Sequence, residues 1–136
     1  MNTHSTILCI DDDELELSIR KMVLESAGFD VVTAANAVQG LEVFNAHRID
    51  LVITDHLGAT GGAFISELRK LNSSLPIMIL SGGDIPRDPV NPPDYYLHKL
   101  EGPTEMIAKL RSAIVHSQSS RYKRESLDQD SSHSQH

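Results

Sequence analysis

The sequence predicts an α/β protein with a doubly wound parallel sheet of five strands, and two observations support this fold class. Short apolar runs alternate with longer stretches of helical periodicity, in the order β-α-β-α-β-α-β-loop-β-α. The apolar runs are continuous, as is typical of strands that are buried on both faces of a sheet. Right-handed crossovers between successive strands then place the helices on the two sides of that sheet.

Length and composition limit the possible classes of protein. With 136 residues the chain is long enough for one domain and too short for two ordinary ones. Its formal net charge of −7 argues against non-specific binding of nucleic acid. No apolar run is long enough to cross a bilayer, and no basic region precedes an apolar core at the N-terminus, so we expect a cytoplasmic protein. The single cysteine, Cys9, is expected to be a small buried hydrophobe.

Turn and cap residues separate the predicted elements. Gly28 suits the position that follows the first helix, Asn36 suits the N-cap of the second, and Pro103 suits the first position of the last. The strands are predicted at residues 7–10, 30–34, 50–55, 76–80 and 95–98. The apolar helix faces are predicted to consist of Leu15, Ile19, Met22 and Val23; of Val38, Leu41 and Phe44; of Phe64, Ile65, Leu68 and Leu71; and of Met106, Ile107, Leu110, Ala113 and Ile114.

Two segments depart from this regular pattern. Residues 84–94 contain four prolines, and a proline inside a helix costs about 3 kcal/mol, so we expect an irregular loop there with at most one short turn. From Ser117 onward the composition changes to Ser, Gln, His and charged residues, which bury little apolar surface. We therefore predict a folded domain over residues 1–118 and a disordered polar tail over 119–136.

Polar residues follow four of the predicted strands, at the edge of the sheet where ligands bind in open α/β folds. They are Asp11 with Asp12, Asp55, Ser81 and Lys99. Each has a structural alternative, because acids also cap helices and turns. Their convergence on one edge favours a functional site.

The residue types at this edge suit phosphoryl transfer. Several carboxylates together form a hard oxygen site that Mg²⁺ prefers. A carboxylate can also act as a nucleophile toward a phosphoryl group. Lys99 would supply a mobile positive charge, and Ser81 would donate a hydrogen bond to a phosphoryl oxygen.

With these motifs the sequence resembles the response-regulator receiver domain of two-component signalling, in a stand-alone form with a degenerate fourth helix. The resemblance extends from Ser5 to Ser117 and implies a flavodoxin-like sheet with strand order 2-1-3-4-5. The motifs that carry it are Ile10-Asp11-Asp12-Asp13, Asp50-Leu51-Val52-Ile53-Thr54-Asp55, Ile79-Leu80-Ser81-Gly82 and Tyr96-Leu97-His98-Lys99.

The resemblance also implies roles for individual residues. Asp55 would be the phosphoacceptor, while Ser81 and Lys99 would hold the phosphoryl group and Tyr96 would be the switch aromatic. Mg²⁺ would be bound by Asp11, Asp12, Asp55 and the backbone carbonyl of Leu57. The proline-rich segment 84–94 replaces the family's fourth helix, and it is either a binding surface or a short connection.

Three functions are compatible with these residues. The favoured one is a receiver that takes a phosphoryl group on Asp55 from a histidine kinase or a phosphotransfer protein and signals through protein contacts, with no enzyme activity beyond self-phosphorylation and autodephosphorylation. The alternative is a degenerate receiver that binds a protein partner without phosphorylation. A Mg²⁺-dependent hydrolase ranks last, because such enzymes usually have a second acid two residues after the nucleophile, where this chain has Leu57. No membrane or nucleic-acid partner is expected.

Overall fold

The structure is a computed structural model that describes residues 4–55, 61–81, 95–98 and 101–134, of which residues 61–62, 81 and 119–134 are described by their backbone alone. In chain order the elements are β1 (Thr6–Ile10), α1 (Glu14–Ser26), β2 (Asp30–Ala34), α2 (Ala37–Ala46), β3 (Leu51–Asp55), α3 (Gly61–Leu71), β4 (Ile77–Ser81), β5 (Tyr95–His98) and α4 (Pro103–Ser134). The alternation predicted from the sequence is confirmed, and the predicted loop at 84–94 lies outside the described residues.

The five strands form one parallel sheet in the order β2-β1-β3-β4-β5, as predicted. The central strand β3 pairs with β1 on one side and with β4 on the other. Its register aligns Thr54 with Ile10 and Asp55 with Leu80. The carboxyl ends of β1, β3 and β4 therefore lie side by side.

Successive strand residues alternate between two apolar clusters, because side chains in a strand point to opposite faces. Helices α1 and α4 cover one face, and the fully buried Leu24 and Leu110 pack there against strand residues such as Ile53. Helices α2 and α3 cover the other face, where Phe64 and Leu68 pack against Val52 and its neighbours. Both faces of the sheet are thus removed from water, which is why the strand sequences are continuously apolar.

Helix α1 packs with a different face from the one predicted. Of the four predicted residues, Val23 is half-buried and packs against the core, whereas Leu15, Ile19 and Met22 are 69%, 53% and 66% exposed. The buried residues of the helix are Leu17, Arg20 and Leu24. Short connections of three residues each, 11–13 and 27–29, join the helix to β1 and β2. The prediction was wrong for Leu15, Ile19 and Met22, because helical spacing groups residues on a face without saying which face meets the sheet. Val38 in α2 and Leu71 in α3 are also exposed, at 70% and 52%.

The predicted helix termini are confirmed. Gly28, directly after the C-cap of α1, has a φ of 100°, a left-handed conformation that favours glycine. Asn36 caps α2, since its side-chain oxygen accepts a hydrogen bond of 2.9 Å from the backbone N–H of Gln39. Helix α4 begins at Pro103, and its predicted stripe packs against the sheet.

Helix α4 continues to Ser134, which differs from the disorder predicted for the tail. The polar composition of the tail argues against a packed surface. It does not exclude a helix, because residues 104–134 contain neither Gly nor Pro, the two residues that most disfavour helices. Near the predicted boundary the Ser117 hydroxyl donates a 2.7 Å hydrogen bond to the carbonyl of Ser74. A domain limit at residue 118 stays a prediction. In the part of the chain that the structure describes, no helix is both long and apolar enough to span a membrane.

Candidate functional site

Three aspartates converge at the carboxyl edge of the sheet. Asp11 directly follows β1 and Asp55 ends β3, and the pairing of Ile10 with Thr54 makes them neighbours across the two strands. Asp12, the next residue along, completes the group. Each of the three side chains offers a carboxylate oxygen, and these oxygens all lie within 4.8 Å of one another. The structure thus brings these three predicted site residues together, and their roles stay predictions.

Asp11 forms the buried side of this cluster. Its residue is 1% exposed, and its backbone N–H donates to the carbonyl of Ala34 at 3.2 Å. Its Oδ1 accepts a hydrogen bond of 2.9 Å from the backbone N–H of Asp13. Its Oδ2 lies 3.5 Å from both Nη1 and Nη2 of Arg20. These contacts orient the carboxylate and provide a positive charge beside it.

The other two carboxylates lie closer to water. Asp55 is half-buried at the end of the central strand, and Asp12 is exposed. The Thr54 hydroxyl donates to the backbone carbonyl of Asp55 at 3.0 Å. The site is thus closed on the side of Asp11 and open on the side of Asp12, where a ligand can enter.

Three carboxylates at this separation repel one another, and a bound cation relieves that repulsion. The donors are all oxygen atoms of carboxylates, which suits a hard divalent cation such as Mg²⁺ rather than a soft metal. The cluster is small enough to hold one ion between its oxygens. The residues present therefore fit the Mg²⁺ site that was predicted from the sequence.

The other predicted site residues are located only in part. Ser81 ends β4 one residue beyond the partner of Asp55, and its side chain lies outside the described atoms. Leu57 and Lys99 lie outside the described residues. Tyr96 is half-buried in β5 and packs against the cluster on the α2 and α3 face of the sheet. The roles of these four residues stay predictions.

Arg20 is a site residue that the sequence interpretation missed. It is 9% exposed and lies three residues after Leu17 and four before Leu24, on the buried face of α1. Its position between two leucines at helical spacing was the available signal. A buried arginine needs a partner, and an acidic cluster just before the helix is an obvious candidate.

Cys9 lies on β1, two residues before Asp11, and is fully buried. Burial raises the pKa of its thiol to about 12. The charge of Arg20 lowers this pKa to a smaller extent, and the charge of Asp11 raises it. A thiol with this pKa stays protonated at neutral pH and is a poor nucleophile. Its predicted role as a small buried hydrophobe agrees with this environment.

The family model of the response regulator receiver domain matches residues 7–92, which include the aspartates of the cluster, all of β1 except its first residue, and strands β2 to β4. The chain belongs to the response regulator receiver family. Receiver domains are signalling modules of two-component systems and are typically non-catalytic. They generally bind Mg²⁺ at an acidic pocket, as the carboxylate cluster of this receiver domain allows.

Curated relatives of this receiver domain are much longer proteins. It is 36% identical over 83 residues to the transcriptional regulatory protein GlrR of Escherichia coli strain K12. The matched region covers 59% of this chain and 19% of GlrR. It is 31% identical over 111 residues to the autoinducer 1 sensor kinase/phosphatase LuxN of Vibrio campbellii, covering 79% of this chain and 13% of LuxN. The chain therefore spans less than a fifth of the length of either relative.

Solved structures agree with the fold of this receiver domain. A response regulator receiver domain protein from Clostridium thermocellum is 29% identical with a TM-score of 0.73, covering 84% of this chain and 97% of that one. The signal receiver domain of an HD domain-containing protein from Pseudomonas fluorescens Pf-5 is 25% identical with a TM-score of 0.75, covering 90% and 95%. Both comparisons span almost the whole of the other chain.

Proposed function

We propose that this receiver domain accepts a phosphoryl group on Asp55 from a phosphohistidine of a histidine kinase or a phosphotransfer protein, and that it signals through protein contacts. The observation that carries the proposal is the convergence of Asp11, Asp12 and Asp55 within 4.8 Å at one edge of the sheet. Membership of the receiver family supports the phosphoacceptor role. A cytoplasmic location, predicted from the sequence, is part of this proposal.

In the forward step a carboxylate oxygen of Asp55 attacks the phosphorus of the phosphohistidine. The new P–O bond forms as the P–N bond breaks, and the departing imidazole nitrogen takes up a proton. Bound Mg²⁺ would supply neutralisation of the developing charge. Asp11, Asp12, Asp55 and the Leu57 carbonyl would hold that ion.

Autodephosphorylation follows when water attacks the same phosphorus, releases inorganic phosphate and restores the Asp55 carboxylate. In this proposal Ser81 and Lys99 bind the phosphoryl oxygens, and Tyr96 changes its packing with the phosphorylation state. The open side of the cluster at Asp12 supports access of water and of the phosphodonor. The domain itself turns over no separate substrate.

The exposed face of α1 supports docking of the phosphodonor next to the cluster. Leu15, Ile19 and Met22 are all more than half exposed, and they lie on the helix that starts directly after Asp13. Exposed apolar side chains grouped on one helix face are typical of protein-protein contact surfaces. A partner seated on this face would be positioned to reach Asp55.

The test is phosphorylation by acetyl phosphate with Mg²⁺, followed on a phosphate-affinity gel and by intact mass. We expect a labile adduct that disappears with a chelator and in Asp55→Asn. Asp30→Asn is the matched control. Asp30 lies at the amino end of the outer strand β2, whereas the cluster lies at the carboxyl ends of the strands, so this variant should be phosphorylated normally.

An adduct that persists in Asp55→Asn would contradict the proposed phosphoacceptor. The absence of any adduct, together with no heat of Mg²⁺ binding in a calorimetric titration, would contradict the proposal as a whole. That second outcome would favour the alternative of a receiver that binds a protein partner without phosphorylation.

A further inference from the structure

Helix α1 places a buried positive charge against the carboxylate cluster. Arg20 is 9% exposed and Asp11 is 1% exposed, and both terminal nitrogens of Arg20 lie 3.5 Å from Asp11 Oδ2. We propose that Arg20 is an internal counter-ion that neutralises Asp11 in the metal-free domain and lowers the affinity of the cluster for Mg²⁺. This inference rests on the proposed function, because it concerns the cation of the same site.

The position of Arg20 would otherwise suit an apolar residue. Its neighbours on the buried face of α1 are Leu17 and Leu24, both of which belong to the core cluster. Burying a guanidinium among such side chains is costly unless the charge is paired. Asp11 supplies that pairing, and in return its own buried charge is balanced. The two residues therefore stabilise each other in the absence of a metal.

A bound cation would compete with Arg20 for the same carboxylate. Asp11 Oδ2 already faces the guanidinium, so Mg²⁺ at the cluster would bring a second positive charge to the same group. Two like charges near one carboxylate repel, and in a partly buried site water screens this repulsion poorly. Removing the charge of Arg20 should therefore strengthen Mg²⁺ binding.

The orientation of Asp11 does not depend on Arg20 alone. Its Oδ1 accepts the 2.9 Å hydrogen bond from the Asp13 backbone, which stays in place when residue 20 changes. Substitution of Arg20 thus removes a charge but keeps the hydrogen bond from the Asp13 N–H that orients the Asp11 carboxylate. If Arg20 acted mainly by orienting Asp11, its loss would weaken Mg²⁺ binding, so the two roles predict opposite signs.

A cavity of about 270 Å³ beside α1 gives the guanidinium room to withdraw from Asp11. Arg20 lines this cavity together with the carboxylate-bearing Glu16 and Glu101. Glu101 is ion-paired with Lys109 at 3.1 Å. Arg20 can therefore move away from an incoming cation without being expelled into a wholly apolar space.

The experiment compares Mg²⁺ binding by the wild type and by Arg20→Met, using calorimetric titration and thermal unfolding with and without Mg²⁺. Met keeps a long side chain and high helix propensity but carries no charge. We expect Arg20→Met to bind Mg²⁺ roughly tenfold more tightly. We also expect a lower Tm in chelator and a larger rise in Tm on adding Mg²⁺ than in the wild type.

Lys21→Met is the matched control, because it removes the same charge from an exposed neighbour on the same helix. Its Mg²⁺ affinity should stay within about twofold of wild type, since exposed charges are screened. If Arg20→Met does not fold without metal, Arg20→Gln provides the same comparison, because its amide can still donate to Asp11. Unchanged or weaker Mg²⁺ binding in the folded Arg20 variant would overturn the inference. No Mg²⁺ binding by the wild type would instead overturn the proposed function.

Discussion

Leu24 and Leu15 form a matched pair that tests how helix α1 packs. They are nine residues apart, roughly two and a half turns, and so lie on opposite faces of the helix. Replacing Leu by Ala removes about 2.4 kcal/mol of transfer free energy at ~0.8 kcal/mol per methylene. Leu24 is fully buried, so the cavity raises its cost to about 3 kcal/mol. Leu15 is 69% exposed, so Leu15→Ala should cost only about 0.7 kcal/mol and leave no cavity.

Thermal unfolding followed by circular dichroism separates these values. For a chain of this size, Leu24→Ala should lower Tm by roughly 10 °C and Leu15→Ala by about 3 °C. Because both substitutions exchange the same residue types within one helix, differences in helix propensity cancel. Equal losses of stability, or a larger loss in Leu15→Ala, would refute the packing of α1 and with it the burial of Arg20.

Three further predictions concern helix ends and the buried thiol. Asn36→Ala should lower the free energy of unfolding by about 1 kcal/mol, because the bond to the Gln39 N–H is lost; urea unfolding measures this, and no change would argue against the cap. Gly28→Ala should cost about 1 kcal/mol through its φ of 100° alone, since an added Cβ would have no atom within 4 Å; a more stable variant in the same urea assay would contradict it. Cys9 has its pKa raised from 9.0 to about 12 in the folded state, so its stabilising contribution is complete below pH 9 and is lost as pH rises from 9 toward 12. The difference in unfolding free energy between wild type and Cys9→Ala should therefore be constant from pH 7 to about 8.5 and should shrink at pH 10; a constant difference throughout would count against the raised pKa.

The strands and helix ends were predictable because local chemistry determines them. Continuous apolar runs fit a sheet covered on both faces. Gly28, Asn36 and Pro103 have backbone or capping preferences that the rest of the fold does not alter. The aspartate cluster was predictable for a similar reason, since the carboxyl ends of parallel strands must share one edge.

The face of helix α1 and the role of Arg20 were not predictable by the same means. Helical periodicity identifies residues that share a face, but it does not say which face meets the sheet. In α1 the buried face contains Leu17, Arg20 and Leu24, and its charged residue argues against burial when the sequence is considered alone. Asp11 compensates that charge. The contact between Arg20 and Asp11, nine positions apart in the sequence, forms only when the helix packs against the sheet beside β1.

The length of α4 shows a different limit. Composition indicated that residues beyond 118 bury little apolar surface, and this was interpreted as disorder. A helix with a polar surface satisfies its backbone hydrogen bonds internally and needs no apolar face to do so. A polar composition therefore indicates that a segment buries little surface, but it does not by itself indicate that the segment lacks secondary structure.

The buried pair of Arg20 and Asp11 also constrains how this sequence can change over time. In the metal-free domain, losing one partner leaves the other charged and buried, which typically costs about 3–5 kcal/mol, a large share of a domain's stability. An arginine-to-leucine change at position 20 would thus be selected against while Asp11 remains. Asp11 in turn is held by its place in the carboxylate cluster. The effect of a substitution at position 20 is therefore expected to depend on whether Asp11 is present, which is a strong epistatic coupling between the two positions.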